Sequence, residues 1–219
     1  MTWQLTTFTL LALVLALGFA WYERTHPSSK VLALVATLAA LAALGRVAFA
    51  PLPNVKPTTD IVLLSGYVLG GAPGFAVGAV GGLTSNLIFG QGPWTPWQMA
   101  AWGLIGVIGA GWARVTRGRL PRLPTLALCA AVAFLYGLLT NLSTLTAAGR
   151  TPTSAQWAAT EVAGLPFDLA HAVGNVAFFL AFGPAFVRVL QRYRARLEVR
   201  WTSAPPAAPT LLPTPEPPR

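Results

Sequence analysis

The sequence predicts an all-α integral membrane protein, and three observations carry that expectation. Of 219 residues, 54% are hydrophobic and only 10% are charged, against roughly 25% charged in a soluble domain. The mean hydropathy is +0.59. Apolar stretches recur along the chain, and seven spans of about 20 residues with their loops would use nearly all of it. That leaves no room for a soluble catalytic domain. A single cysteine, Cys129, excludes a disulfide framework and a cysteine-based metal cluster.

The first stretch, 5–21, follows a start without Lys or Arg, so it reads as a retained helix rather than a cleaved leader. The second covers 31–50. The third, 59–69, and the fourth, 75–89, are short and are expected to be tilted or partly re-entrant. Between them, Gly70-Gly71-Ala72-Pro73-Gly74 reads as a tight turn. The fifth, sixth and seventh cover 97–113, 126–145 and 165–190. Residues 201–219 are Pro-rich and nearly free of large apolar side chains, so they are expected to form a disordered tail.

Basic residues orient the spans. Arg24 and Lys30 lie in the first loop, and Arg114, Arg117, Arg119 and Arg122 lie between the fifth and sixth stretches. Arg188, Arg192, Arg194, Arg196, Arg200 and Arg219 lie in the last segment. Twelve of fifteen basic residues therefore share one side, with Lys56, Arg150 and Arg46 toward the other. The C-terminus is expected in the cytoplasm and the N-terminus outside. The net charge of +9 reads as a topology signal rather than as nucleic-acid binding.

With that orientation, polar side chains gather in the outer leaflet. Arg46 ends the second stretch, and Lys56 and Asp60 flank the third. Asn86 and Gln91 end the fourth, and Trp94, Trp97, Gln98 and Trp102 open the fifth. Thr140, Asn141 and Thr144 close the sixth. Asp168, His171 and Asn175 open the seventh, three and four apart on one helical face. The inner halves are nearly bare. Polar groups in hydrocarbon face the protein interior or a water-filled cavity, so this pattern predicts an outward-facing, aromatic-lined cup rather than a continuous pore. Each group also has a plainer reading: interfacial tryptophans, a solvated Lys56, a snorkelling Arg46, a structural Asp168–His171 pair. Gly74, Gly78 and Gly82 form a small-residue stripe, as do Ala36 with Ala40 and Ala39 with Ala43. Such stripes serve internal packing or the docking of a partner membrane protein.

No phosphate-binding G-x-x-x-x-G-K-[ST] motif and no H-E-x-x-H metal motif occurs. Ala170-His171-Ala172-Val173-Gly174 is similar to the histidine helix of rhomboid-type intramembrane proteases. Those enzymes also need a G-x-S-G serine, and Ser65 follows Val62-Leu63-Leu64. The absence of an internal sequence repeat weakens an inverted-repeat transporter.

Gly45-Arg46-Val47-Ala48-Phe49-Ala50-Pro51, Pro53-Asn54-Val55-Lys56-Pro57-Thr58-Thr59 and Gly90-Gln91-Gly92-Pro93-Trp94-Thr95-Pro96-Trp97-Gln98-Met99 together resemble the substrate-binding S components of energy-coupling factor (ECF) vitamin transporters. The resemblance spans about 31–190, and its motifs are associated with the cobalamin-type branch. It implies a six-helix membrane bundle over 30–200, with 1–29 supplying an extra N-terminal transmembrane helix and a cytoplasmic loop. It implies a vitamin captured from outside the bacterial plasma membrane and delivered to a transmembrane T component driven by two ATPase subunits. The S component would topple in the bilayer, carry no cofactor or metal, and perform no catalysis. Loops around 50–58, 90–97 and 147–164 would close the site. The family's A-x-x-x-A contact with the T component matches Ala36 and Ala40, or Ala39 and Ala43. Candidate ligand contacts are Arg46, Asp60, Asn86, Gln91, Trp94, Trp97, Gln98, Asn141, Asp168, His171 and Asn175. Two other readings compete: a stand-alone secondary transporter of a small polar metabolite, and an intramembrane enzyme using Asp168 and His171 as acid and base.

Overall fold

The computed structural model describes residues 3–148 and 151–197. The expected tail at 201–219, and Arg150, Arg200 and Arg219, lie outside the described residues. Seven α-helices and no strand occur among the described residues: α1 (Trp3–Glu23), α2 (Ser29–Ala48), α3 (Thr58–Leu69), α4 (Gly71–Phe89), α5 (Thr95–Val115), α6 (Arg122–Ala147) and α7 (Ser154–Leu197).

Five of them, α1, α2, α4, α6 and α7, are long and apolar enough to cross a membrane. The chain is therefore a multi-pass membrane bundle. The other two differ for separate reasons. Helix α5 matches the others in length but carries Thr95, Gln98 and three tryptophans. Helix α3 has 12 residues, about 18 Å of rise, well short of a hydrocarbon core of about 30 Å. Every residue from Thr58 to Val68 is buried. A helix apolar on all sides belongs inside a bundle, and α3 packs against α2, α4, α5 and α7.

The predicted turn at 70–74 contracts to one residue. Gly70 alone separates α3 from α4, at φ +100°, a conformation glycine adopts without a Cβ clash. Pro73 then falls in the first turn of α4, where its missing N–H costs no helical bond. The glycine stripe serves internal packing. A Cβ on Gly66 would strike the Gly106 backbone, one on Gly106 would strike Gly74, and one on Gly78 would strike Trp102 and Gly103. Bare backbone on three helices lets α3, α4 and α5 close on one another.

Helix α7 corrects the seventh stretch. It begins at Ser154, eleven residues earlier than expected, and runs unbroken through Pro166 and Pro184. Its start is a capping box: Gln156 N donates to Thr153 Oγ1 (3.2 Å), and Thr153 N donates to Gln156 Oε1 (3.0 Å). Most of the loop expected at 147–164 is therefore helix.

The bundle has two chemically distinct ends. At one, Tyr67 Oη donates to the Arg119 carbonyl (2.6 Å) and Arg194 Nη1 to the Val68 carbonyl (2.7 Å). These bonds join the end of α3, the α5–α6 connection and the late part of α7. Trp21, near the end of α1, packs on Gly71 at this same end. Arg46, the 49–57 connection and the start of α5 lie at the other end.

The glycine contact yields a direct expectation. Gly106→Ala should destabilise the bundle by about 1–3 kcal/mol through overpacking, seen as a lower Tm in detergent. Gly111→Ala meets nothing within 4 Å and should leave Tm unchanged or slightly raised.

Candidate ligand cavity

Arg46, in the last turn of α2, is aimed inward. Its Nη1 donates to Ser85 Oγ (2.7 Å) and Asn86 Oδ1 (2.6 Å) on α4. Its Cζ sits 4.7 Å from the Phe89 ring centroid and 5.2 Å from that of Trp102, within cation–π range. No carboxylate pairs with it among the described residues, and its Nη2 and Nε have no protein acceptor there.

Asn86 holds this arrangement from behind. It is fully buried, and its Nδ2 donates to Gln98 Oε1 (2.7 Å) and Thr95 Oγ1 (3.0 Å) on α5. Thr95 Oγ1 in turn donates to Gln91 Oε1 (2.9 Å), and Gln91 Nε2 to the Leu83 carbonyl (3.1 Å). A polar chain thus runs from the 90–94 connection to the guanidinium.

A second cluster centres on Thr59 at the start of α3. Its Oγ1 receives Trp102 Nε1 (3.2 Å) and lies 2.8 Å from His171 Nε2. The rings of Trp102, Tyr136 and His171 follow one another, with centroids 4.7 Å and 5.3 Å apart. Asp168, one turn before His171, sits against Gly137 of α6, where a Cβ would overlap its carboxylate. It is 7% exposed and accepts no hydrogen bond from the described residues.

These groups enclose a cavity of about 360 Å³. Arg46, Gln98, Asp168 and His171 line it together with Asn54, Lys56, Thr59, Phe89, Trp102, Tyr136 and Thr140. Lys56 is not simply solvated. Its ammonium donates to the carbonyls of Phe49, Ala50 and Leu52, which folds the 49–57 connection over the cavity. Partial burial and the nearby Arg46 charge both hold its pKa below the usual lysine value.

The other predicted residues lie elsewhere. Asp60 is fully buried, turned toward the Cys129 thiol and away from the cavity. Asn175 Nδ2 donates to the Cys129 carbonyl (3.0 Å), a turn deeper than the cavity. Asn141 Nδ2 donates to Glu161 Oε2 (3.1 Å), joining α6 to α7. Trp94 is 45% exposed at the start of α5 and stacks across Gly92. Trp97 faces α1 and α6 instead. Seven lining residues are absent from the candidate set: Lys56, Trp102 and Thr140, which the sequence placed in the outer leaflet without choosing them, and Asn54, Thr59, Phe89 and Tyr136. Tyr136 did leave a signal, as a lone phenol within the apolar run 126–145.

Of the alanine pairs, Ala39 and Ala43 are buried, and Ala39 packs on Gly81 of α4. Ala36 and Ala40 are exposed on the outer face of α2.

The cavity is polar and edged by three neighbouring rings, Trp102 tilted against Tyr136 and Tyr136 edge-on to His171. Among the described residues its guanidinium and its carboxylate pair with no opposite charge. Such a site can hold a polar small molecule. Comparison with known proteins agrees. The family model described as ECF-type riboflavin transporter, S component, matches residues 27–174, a segment that starts after α1 and contains the whole Arg46–Thr59–Asp168 constellation. Its description names riboflavin and lends no support to the cobalamin branch. No curated protein and no solved structure matches the chain. The matched segment is about two thirds of the sequence, and the chain belongs to the S-component family of ECF-type transporters, the membrane subunits that bind the transported vitamin.

Proposed function

We propose that this protein captures a flat, polar-edged vitamin of flavin or pterin size in the Arg46–Asp168 cavity and delivers it to an ATP-driven T component. One observation carries the reading. Arg46 and Asp168, of opposite charge, line one cavity without pairing to each other or to any other described ion. A ligand that offers an acceptor to Arg46 and an N–H or O–H to Asp168 satisfies both, and the Trp102–Tyr136–His171 rings cover its flat face. A volume of about 360 Å³ lies near the small end of ligand sites, roughly 300–1,000 Å³. That favours a single fused-ring heterocycle over a corrinoid. Riboflavin, the vitamin in the family's description, is the leading ligand.

The distribution of charge supports a cavity that opens outside the cell. Arg114, Arg117, Arg119, Arg122 and Arg194 lie at the opposite end, which the positive-inside rule assigns to the cytoplasm of a bacterial plasma membrane. Ala36 and Ala40 supply the free small-residue surface on α2 for the T component, because Ala39 is already packed against α4 and Ala43 is buried.

Native mass spectrometry of the purified protein with riboflavin, a pterin and cobalamin tests the ligand. Selective retention of riboflavin is the expected result; retention of cobalamin alone, or of none of the three, overturns it. Asp168→Asn and Arg46→Gln each remove a charge-assisted hydrogen bond of about 1.5–3 kcal/mol, so each should weaken riboflavin roughly 10- to 150-fold in a fluorescence titration. Docking is separable from binding. Ala40→Leu should leave riboflavin affinity unchanged and abolish uptake in cells that supply the T component and ATPases, whereas Ala39→Leu should lower Tm by overpacking against α4.

A further inference from the structure

The basic end of the bundle carries two cavities side by side. The first, about 380 Å³, lies between the end of α3, the last turn of α5 and the late part of α7, and Arg114 and Arg194 line it. The second, about 290 Å³, lies between the α5–α6 connection, the start of α6 and α7, and Arg122 and Arg188 line it. Gly118 and Gln191 border both, so the two form one furrow with a saddle at Gln191. Helical geometry on α7 accounts for the saddle. Arg188, Gln191 and Arg194 are spaced three apart, so each step turns about 60° around the helix and Gln191 falls between the arginines. Along the axis the two arginines are separated by roughly 9 Å.

The furrow is positive without compensation. No aspartate or glutamate lines either cavity. The guanidiniums of Arg114, Arg122 and Arg188 have no hydrogen-bond or ion-pair partner among the described residues. Arg194 differs, because its Nη1 donates to the Val68 carbonyl (2.7 Å). That bond caps the end of α3 and fixes one arginine of the furrow in place. Arg117 and Arg192 lie at the same end of the bundle but line neither cavity. Membrane topology asks only for positive charge at this end; it does not ask for four arginines from three elements around adjoining concavities.

Apolar surface begins at the same level. Val115, Leu123 and Val189 directly follow Arg114, Arg122 and Arg188, and they are 75%, 77% and 47% exposed. Arginine beside exposed apolar side chains suits the boundary between headgroups and hydrocarbon. A soluble anion would use the guanidiniums and leave the apolar side chains bare, whereas a phospholipid covers both. Basic pockets between membrane helices are suited to anionic headgroups, and two pockets flanking one saddle suit two phosphates joined through a single glycerol.

We propose that this furrow binds one phospholipid bearing two phosphates, one in each cavity, with its acyl chains against Val115, Leu123 and Val189. The lipid bridges α5, α6 and α7 at the end remote from the ligand cavity.

The test uses delipidated full-length protein in detergent and three lipids with the same acyl chains: tetraoleoyl cardiolipin, dioleoyl phosphatidylglycerol and dioleoyl phosphatidylcholine. Native mass spectrometry reads the lipid retained per protein. Wild type should retain one cardiolipin, about 10-fold more strongly than phosphatidylglycerol, the value of one charge-assisted hydrogen bond. Phosphatidylcholine should be retained least. The double variant Arg114→Gln/Arg188→Gln removes one free cation from each cavity and should weaken cardiolipin about 10-fold or more. Arg117→Gln/Arg192→Gln removes the same charge outside the furrow and should leave retention unchanged. Equal Tm values for the two double variants show that both fold alike. Inorganic pyrophosphate, a soluble diphosphate, should fail to displace the lipid. Equal retention of cardiolipin and either other lipid, equal losses in the two double variants, or full displacement by pyrophosphate would overturn the assignment. Vitamin binding reports on the cavity at the other end, so its presence or absence leaves this result independent.

Discussion

Everything at the cavity end hangs on how Arg46 is kept inside the bundle without a carboxylate. Moving a guanidinium out of water costs several kcal/mol unless fixed partners replace its hydration. Here two neutral oxygens, Ser85 Oγ and Asn86 Oδ1, and two ring faces, Phe89 and Trp102, stand in for water. None of them cancels the charge. A carboxylate in their place would neutralise the guanidinium and leave it little attraction for a ligand. Dipoles and π faces hold the cation in position and leave its field directed into the cavity. Asn86 is the keystone of this support, because its one amide orients Arg46 through oxygen and Gln98 through nitrogen.

The supporting frame is steric rather than polar. Helix α3 is too short to cross the bilayer alone, and it can be short because α2, α4, α5 and α7 surround it. Its depth decides where Thr59 lies, and Thr59 is the point at which Trp102 of α5 and His171 of α7 are brought to one oxygen. The meeting of Gly66, Gly74 and Gly106 fixes that depth by letting α3, α4 and α5 approach at backbone distance. Glycines near the middle of the bundle thus set the geometry of hydrogen bonds nearer its surface.

The fold class, the helix order and the segregation of polar groups to one end were legible in the sequence. They follow from hydropathy and charge placement, which the bilayer imposes on any sequence of this kind. Helix ends were less legible. Thr153-Ser154-Ala155-Gln156 is a capping box readable from sequence, yet the apolar stretch was started at 165 and the resemblance implied a loop around 147–164. Side-chain direction was legible only in part. The three-four spacing of Asp168 and His171 placed both in the cavity, but the same spacing sent Asn175 beneath it. At the start of α5, Trp97 and Gln98 shared one depth and seemed equivalent as ligand contacts; depth along a helix says nothing about azimuth, and azimuth separates them. Asp60 shows the remaining limit. Its place at the outer start of the third stretch made it a candidate ligand contact, whereas one residue of helical rotation past Thr59 turns it toward Cys129.

Helix α1 can be added to this bundle only where it leaves both functional surfaces open. The cavity lies between α2, α3, α4, α5, α6 and α7, so a helix seated across its mouth would obstruct entry. The outer face of α2, with Leu32, Ala36, Ala40 and Leu44 exposed, is the surface proposed above for the T component. Helix α1 avoids both. Its C-terminal half packs on α4, with Phe19 edge-on to Phe75 at 5.6 Å and Trp21 over Gly71. Its N-terminal half leans toward α5 and α6 less closely, and an apolar slot opens there. The tight half of that contact fixes α1 to the bundle at the basic end. An added helix attached in this way leaves the small-residue face of α2 free.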